Sequence, residues 1–264
     1  MKLSISNIGW IKEEDERVYT LMHKFGFEGL EIAPTRVFPE KPYDNLEVAK
    51  IWKDEIRLKH GFEISSMQSI WYGVSEKVFG TEQERENLIL YTKKAIDFAE
   101  TIGCRNLVFG CPRNRIFPKD GDMDVAIKFF KLLGDYAFEH NTVIAMEANP
   151  PIYNTNFINR TEEAINLIGR VDSRGFMLNL DVGTMIENKE NVELLEKNVH
   201  LINHVHISEP GLKPIQKRRL HNELVEILKV NGYKRFVSIE VGRQDNLVEI
   251  EKMLEYVSLN LRIR

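Results

Sequence analysis

Residues 201–210 read Leu-Ile-Asn-His-Val-His-Ile-Ser-Glu-Pro, an apolar run with polar residues at alternate positions. This spacing is the period of a β-strand, and the Glu-Pro that ends it marks a turn. Successive side chains of a strand point to opposite faces, so His204 and His206 share one face. Two imidazoles on a buried face are either core histidines or part of a site. The stretch alone favours the core interpretation, and the other strands decide between the two.

Strand-like and helix-like segments alternate on both sides of this stretch. The other predicted strands are Leu3–Ser6, Gly29–Ile32, Phe62–Gln68, Asn106–Phe109, Val143–Glu147, Phe176–Asp181 and Phe236–Glu240. The predicted helices begin with one at about Glu13 and continue with Asn45–Lys59, Glu82–Thr101, Val125–Glu139, Thr161–Gly169, Val192–Asn198, Gln216–Val230 and Leu247–Leu261. Eight strands, each followed by a helix, predict an α/β protein with one domain over residues 1–264, a single (β/α)8 TIM barrel. A doubly wound open sheet is the alternative, but no strand is followed by its phosphate-binding glycine fingerprint.

Length and composition agree with such a barrel, which needs about 250 residues. The chain has 264 residues, 43% of them hydrophobic and 29% charged, as in ordinary globular proteins. Its net charge of −4 gives no overall field that attracts nucleic acid or an anionic membrane. Neither a signal core nor a membrane-spanning run is evident, and two cysteines are too few for a disulfide framework. We therefore expect a cytoplasmic protein that binds neither nucleic acid nor membrane.

Four consecutive predicted strands end in groups that can bind a metal, namely Glu147, Asp181, His206 and Glu240. Functional side chains of (β/α)8 barrels lie at these carboxyl ends. Each carboxylate alone could equally be a structural ion pair. Three carboxylates that converge without a lysine or arginine, however, repel one another by several kcal/mol unless a cation neutralises them. We therefore predict one divalent metal ion, with Mn²⁺ the first expectation and Mg²⁺, Co²⁺ or Zn²⁺ as alternatives.

The same strand ends resemble the sugar phosphate isomerase/epimerase family, within the xylose isomerase-like TIM barrel superfamily. The resemblance covers essentially the whole chain and rests on the motifs Glu147-Ala-Asn, Leu180-Asp181-Val-Gly183-Thr, His204-Val-His206-Ile-Ser and Ser238-Ile-Glu240. These motifs are specific for the fold and the metal site and say little about the substrate. The resemblance implies that His206 is the metal ligand and that His204 lies one layer deeper.

The site predicts a metal-dependent isomerase or epimerase that acts on a sugar or sugar derivative. The metal would polarise the carbonyl of a hydroxy-carbonyl substrate and stabilise an enediolate. Glu147 and Glu240, from the fifth and eighth strands, would transfer the proton from opposite faces and invert the centre, whereas a one-sided shuttle would interconvert aldose and ketose. Two alternatives remain open. A lyase that dehydrates a polyhydroxy ketone, as the superfamily's inosose dehydratases do, uses the same ligands, and a barrel that only binds a ligand uses no catalysis.

Three positions depart from the ketose 3-epimerase branch of this superfamily. Thr184 stands where that branch has a histidine after the aspartate ligand, and Leu212 where it has an arginine. Tyr153 replaces a glutamate that contacts the substrate there. These differences count against 3-epimerisation of free ketoses, but they leave the metal site intact. Endonuclease IV, another member, needs further histidines on the early strands, so DNA repair is not expected.

Further residues are predicted at the rim of the barrel, where the substrate would bind. The substrate-binding candidates are Glu31, Gln68, Trp71, Asn149, His204, Lys213, His221 and Arg243. Trp71 either stacks on a sugar or covers the barrel. The basic stretch from Lys213 to His221 is either a solvated helix face or a site for a phosphate or carboxylate, with Arg113 and Arg115 as a second candidate. The sequence leaves open whether the chain forms a homo-oligomer.

Overall fold

The computed structural model describes residues 1–261. Its eight parallel strands close into a barrel in sequence order. The strands are β1 (Lys2–Ser6), β2 (Gly29–Ile32), β3 (Glu63–Met67), β4 (Leu107–Phe109), β5 (Ile144–Glu147), β6 (Phe176–Asp181), β7 (Ile202–Ile207) and β8 (Phe236–Ile239). This confirms the predicted (β/α)8 barrel.

The α-helices of residues 1–261 surround the barrel. They are α1 (Asp15–Phe25), α2 (Pro34–Val37), α3 (Leu46–His60), α4 (Glu82–Ile102), α5 (Met123–Glu139), α6 (Thr161–Val171), α7 (Val182–Glu187), α8 (Arg219–Val230) and α9 (Leu247–Leu261). The apolar stripes of the long helices pack on the outside of the strands and form one continuous core with them. Within the same range, none of the helices has the length and the apolar composition that crossing a membrane requires.

The predicted helix Val192–Asn198 is wrong. Val192–Leu195 forms a short 3₁₀ turn, and the α-helix that follows β6 is α7, which begins immediately after the strand. Asp181 is the last residue of the strand and also the N-cap of α7, because its carboxylate accepts the backbone N–H groups of Gly183 and Thr184. The cap therefore holds the aspartate at a fixed place at the mouth of the barrel.

The four strands that carry the predicted ligands are staggered along the barrel. Asp181 pairs in register with His206, whereas Glu147 pairs with Asn179, two residues before Asp181. Strands of a closed barrel tilt against its axis, which compensates for such a stagger. Side chains from different register positions can therefore meet at one point.

Two glycines permit a close approach of β6 and α5, and this contact gives a first testable prediction. A Cβ atom at Gly175 would lie 2.0 Å from the carbonyl oxygen of Gly134. Because neither backbone segment can move freely, we expect Gly175→Ala to lower the free energy of unfolding by about 1–3 kcal/mol. Gly169→Ala is the control, since its Cβ meets open space on α6 and alanine favours a helix. Urea denaturation measures both, and equal midpoints would contradict the prediction.

Candidate metal centre

Four side chains from the carboxyl ends of β5 to β8 converge at the mouth of the barrel. They are Glu147, Asp181, His206 and Glu240, and one ligand atom from each lies within 4.8 Å of the others. Each of these residues is at most 9% exposed. The structure thus brings together all four residues that the sequence predicts as metal ligands.

His206 presents one nitrogen to the carboxylates of the mouth and the other to the barrel interior. Its Nδ1 lies 3.0 Å from Glu147 Oε1 and 3.3 Å from Glu240 Oε2. Its Nε2 lies 2.8 Å from Glu31 Oε1. Burial alone would lower the pKa of His206, but the charges of Glu31 and Glu240 outweigh it and hold this pKa well above its usual range. With Nε2–H donated to Glu31, Nδ1 is the atom that could bind a metal.

Glu31, from β2, bridges the two histidines of β7 across the barrel interior. Its second oxygen lies 3.0 Å from His204 Nε2, and the side chain of Glu31 is fully buried. Burial alone would raise the pKa of Glu31, but His206 and His204 outweigh it and hold the carboxylate ionised. The prediction that Glu31 faces the mouth is wrong, because its carboxylate lies beneath His206. His204 contacts the same carboxylate and is 1% exposed, so both residues are out of reach of a substrate at the rim.

Two amide groups fix Glu147. Asn179 Nδ2 donates to Oε1 over 2.7 Å, and Asn149 Nδ2 donates to Oε2 over 3.0 Å. The orientation of Asn149 is itself fixed, because Arg115 Nη2 donates to its Oδ1 over 2.7 Å. An arginine can only donate, so the amide oxygen must face it and the NH₂ group must face the glutamate. Asn149 therefore orients the predicted ligand Glu147. The sequence predicts that its amide binds substrate hydroxyls, but this hydrogen bond already engages that amide.

Arg115 is buried completely, where the sequence analysis expected a cation near the rim that could hold an anion. Burial lowers the pKa of its guanidinium to about 10, while the neighbouring Cys111 and Glu147 oppose this shift. Its guanidinium contacts Met146 Sδ as well as Asn149. Arg115 thus places one positive charge below the mouth.

Asp181 accepts hydrogen bonds from α7 and from the residue that follows β7. Thr184 donates its backbone N–H over 2.9 Å and its hydroxyl over 2.8 Å to Oδ2. The hydroxyl of Ser208, two residues after His206, donates to Oδ1. Burial nevertheless raises the pKa of Asp181, and the charge of Glu147 adds to the rise. The geometry therefore holds Asp181 in place without fully compensating its charge.

Glu240 is held less firmly than the other two carboxylates. Within residues 1–261, the Glu240 carboxylate has polar contact with one side chain, that of His206, whose Nδ1 lies 3.3 Å from Oε2. Burial raises the pKa of Glu240 to about 7, with His206 opposing the rise and the charges of Glu147 and Asp181 adding to it. This carboxyl group can therefore gain or lose a proton near neutral pH.

The charges of the centre fit a divalent cation. Without a metal, four carboxylates, counting Glu31, face Arg115 and a protonated His206, so negative charge is in excess. A divalent ion would take the place of the proton on His206 Nδ1 and neutralise the carboxylates at the mouth. Carboxylate oxygens with one imidazole nitrogen form a donor set for hard to borderline ions. The buried cluster is thus consistent with a divalent metal site.

A family model described as xylose isomerase-like TIM barrel matches residues 20–257. The chain belongs to this family. The xylose isomerase-like barrel is 25% identical over 252 residues to an inosose dehydratase of Clostridium botulinum (strain Alaska E43 / Type E3), covering 87% of this chain and 77% of the relative.

Solved sugar epimerases share the fold of this xylose isomerase-like barrel. D-psicose 3-epimerase from Clostridium cellulolyticum H10 superposes with a TM-score of 0.79 at 17% identity and full coverage of both chains. The 3-keto-D-glucoside 4-epimerase from E. coli superposes with a TM-score of 0.78 at 19% identity, covering 98% of this chain and 99% of that one. At these identities the likeness concerns the fold alone.

Two rim candidates of the xylose isomerase-like barrel are part of its core instead. Trp71 is 3% exposed and donates its indole N–H to the Thr92 hydroxyl over 2.9 Å, so it cannot stack on a substrate. His221 is buried on α8 and lies 2.9 Å from the Tyr256 hydroxyl. Burial lowers the pKa of His221 to about 4, which leaves it neutral and unsuited to an anion. Trp71 and His221 are buried for the same reason. Each ring packs inward, where its polar group finds a hydrogen-bond partner.

The other rim candidates divide by exposure. Gln68 is buried and donates to the Ser6 hydroxyl over 2.5 Å. Lys213 and Arg243 are exposed in the loops after β7 and β8, where a substrate could reach them. Of the predicted substrate-binding residues, Lys213 and Arg243 are therefore the cations that a substrate can still reach.

Two residues that hold the ligands were not predicted from the sequence. Asn179, which donates to Glu147, lies two positions before Asp181, and Ser208, which donates to Asp181, lies two positions after His206. Side chains two apart on a strand share a face, so this period-two pattern was the available signal. Glu31 was noticed, but its sequence position gave no sign that it contacts β7.

The contact between Glu31 and His206 leads to a prediction. Glu31→Gln keeps the shape of the side chain but removes the charge that orients the imidazole, so we expect metal affinity to fall by about 10–100-fold. Isothermal titration of the chelated protein with Mn²⁺ measures this change. Glu190→Gln is the matched control, since Glu190 is also buried but accepts the Thr161 backbone N–H elsewhere. Unchanged affinity in a folded Glu31→Gln protein would contradict the role of Glu31.

Proposed function

We propose that this protein is a divalent-metal-dependent enzyme that moves a proton beside a carbonyl group of a sugar or sugar derivative, as an isomerase or epimerase. One observation carries the proposal. Glu147 and Glu240 come from β5 and β8, yet both reach the same His206 nitrogen, at 3.0 and 3.3 Å. Two carboxylates that flank one buried point are the arrangement that proton removal and return require.

A metal ion bound by Glu147, Asp181, His206 Nδ1 and Glu240 would supply a Lewis acid for the charge that develops on the substrate oxygens. The chain's own groups supply the proton transfer. Glu240 suits the base that removes the proton, since within residues 1–261 His206 is the one side chain in polar contact with its carboxylate, which leaves it more loosely held than Glu147. Glu147 accepts two amide hydrogen bonds, which fix its orientation. It therefore suits the group that returns the proton on the opposite face of the substrate.

Both the comparisons and the rim support a sugar-type substrate. The solved neighbours are described as epimerases of D-psicose and of a 3-keto-D-glucoside, and the former was solved with D-tagatose. The exposed cations Lys213 and Arg243 favour a derivative that carries a phosphate or carboxylate. The Thr184 hydroxyl lies 2.7 Å from the Ala148 carbonyl oxygen and 2.8 Å from Asp181 Oδ2, and these two acceptors share its single proton, so it cannot replace the substrate contact of a histidine.

A second candidate function is dehydration of a polyhydroxy ketone. The 25% identical relative is described as an inosose dehydratase. Proton removal beside a carbonyl is also the first half of such an elimination, and the same glutamate pair would serve it. In this case the opposite glutamate would protonate the leaving hydroxyl group.

Solvent-deuterium exchange tests the proposal. The metal-loaded protein is incubated in D₂O with a set of ketoses, keto-sugars, inososes and their phosphates, and each sugar is followed by proton NMR. Deuterium at the carbon beside the carbonyl, with an isomer formed, is the expected result. An absorbing conjugated product would favour the dehydratase instead. A sugar that binds without exchange would overturn both and favour a barrel that only binds ligands.

A further inference from the structure

A second concave site lies at the amino end of the barrel, opposite the metal centre. It is a depression of 1270 Å³ lined by residues at or just before the starts of the strands, such as Lys2, Glu63 and Phe236. The C-terminal half of α3 forms one wall. The ligands of the metal centre are absent from this lining.

The lining is strongly cationic. It contains seven lysines and arginines against two acids, Glu63 and Glu139, a local formal charge of +5. The whole chain carries −4, so the rest of the molecule carries −9. Lys2 pairs with Glu63 and Lys53 with Asp54. Within residues 1–261, the other cations of the lining form no salt bridge with a carboxylate: Arg57, Arg105, Arg174, Lys234 and Arg235.

Helix dipoles account for Arg57, in the last turn of α3, but not for all of these cations. The carboxyl ends of the helices face this end of the barrel, and a basic residue in the last turn stabilises such an end. α6 and α8 already have Arg170 and Lys229 in their last turns. Arg174 and Lys234 come after the C-cap residues of those helices, beyond the turn where the effect is strong.

Two arginines of the depression are held in place before any ligand binds. Arg235 donates from Nη1 to the Ile202 carbonyl over 2.9 Å, and the Arg174 guanidinium lies 4.2 Å from the ring centre of Phe138. Preorganised guanidinium groups are a feature of a site built for an oxyanion.

We propose that the amino end of the barrel binds a small anion with two or more phosphate groups. One phosphate would neutralise less than half of the local charge, so several are required. A nucleic-acid strand fits less well, because it would extend from the depression over a surface whose remaining charge is −9. The cations also surround a concavity at the barrel axis instead of following a groove.

Calorimetric titration of the purified protein with inorganic tripolyphosphate tests this site. We expect saturable one-to-one binding that weakens as salt is raised, and about tenfold or greater weakening in the double variant Arg174→Gln/Lys234→Gln. Both side chains are exposed, so the fold should be retained. The control Lys119→Gln/Lys217→Gln removes the same charge from exposed loops at the carboxyl end and should bind as the original protein does.

Several outcomes would overturn the proposal. Among them are no saturable binding, equal weakening in the control variant, and orthophosphate that binds as tightly as tripolyphosphate. A short single-stranded oligonucleotide that binds more tightly would point to a nucleic-acid surface. Asp181→Ala, which alters the metal centre, should bind tripolyphosphate unchanged, and loss of binding there would place the anion at the metal centre.

Discussion

Asp181→Ala is expected to reduce the divalent metal content from one ion per chain to none after chelation and re-addition of Mn²⁺. Asp181 supplies one of four ligand atoms that lie within 4.8 Å of one another. Its loss removes a charged ligand and also the cap of α7, which costs about 0.5–2 kcal/mol of stability. Elemental analysis of the desalted protein measures the metal content, and thermal unfolding measures the loss of the cap.

Asp181→Asn separates these two effects. Asparagine is as good an N-cap as aspartate, so stability should recover. Metal content should stay low, because an amide oxygen is a weaker ligand than a carboxylate for such an ion. One ion per chain in the alanine variant would exclude Asp181 as a required ligand, and no ion in the folded original protein would remove the metal from the proposed function. The four strand-end residues would then favour a barrel that only binds a ligand.

Glu240→Gln should abolish exchange of the substrate proton with solvent, with a loss of about 10²–10⁴-fold in rate. Glutamine keeps the size of the side chain but cannot take a proton. The fold should therefore be preserved, since the backbone position of Glu240 is fixed by its N–H donated to the Ile207 carbonyl over 3.0 Å. Deuterium uptake into the substrate in D₂O is the measurement.

Metal content must be measured in the same variant, because Glu240 is both a predicted ligand and the proposed base. Glu240→Asp is the companion variant, which keeps the charge and shortens the side chain by one methylene group. We expect it to retain the metal and to lose most of the exchange, because a carboxylate displaced from its place transfers a proton slowly. Full exchange in a metal-loaded Glu240→Gln protein would exclude Glu240 as the base.

The sequence by itself determined the order of the elements and the four strand ends that converge. Both follow from local patterns, since a strand, a turn and a helix each have a period or a marker within a few residues. The boundaries of β2 and β6 agree with the prediction to the residue, and α9 begins at Leu247 as predicted. Asp181 shows the limit of local patterns. It is both the last residue of β6 and the N-cap of α7, so no turn separates the two elements and the sequence does not mark where α7 begins.

The tertiary structure alone decided which side chains meet across the barrel. Glu31 lies 175 residues before His206, yet the two are 2.8 Å apart because closure of the barrel leaves only β8 and β1 between β7 and β2. Burial likewise removed Trp71 and His221 from the predicted rim. The cations of the amino end are scattered singly along the chain in a protein of net negative charge, and they form a site only because parallel strands begin at one end of the barrel. Contacts between distant strands leave no local pattern in the sequence, so closure of the barrel is what determines them.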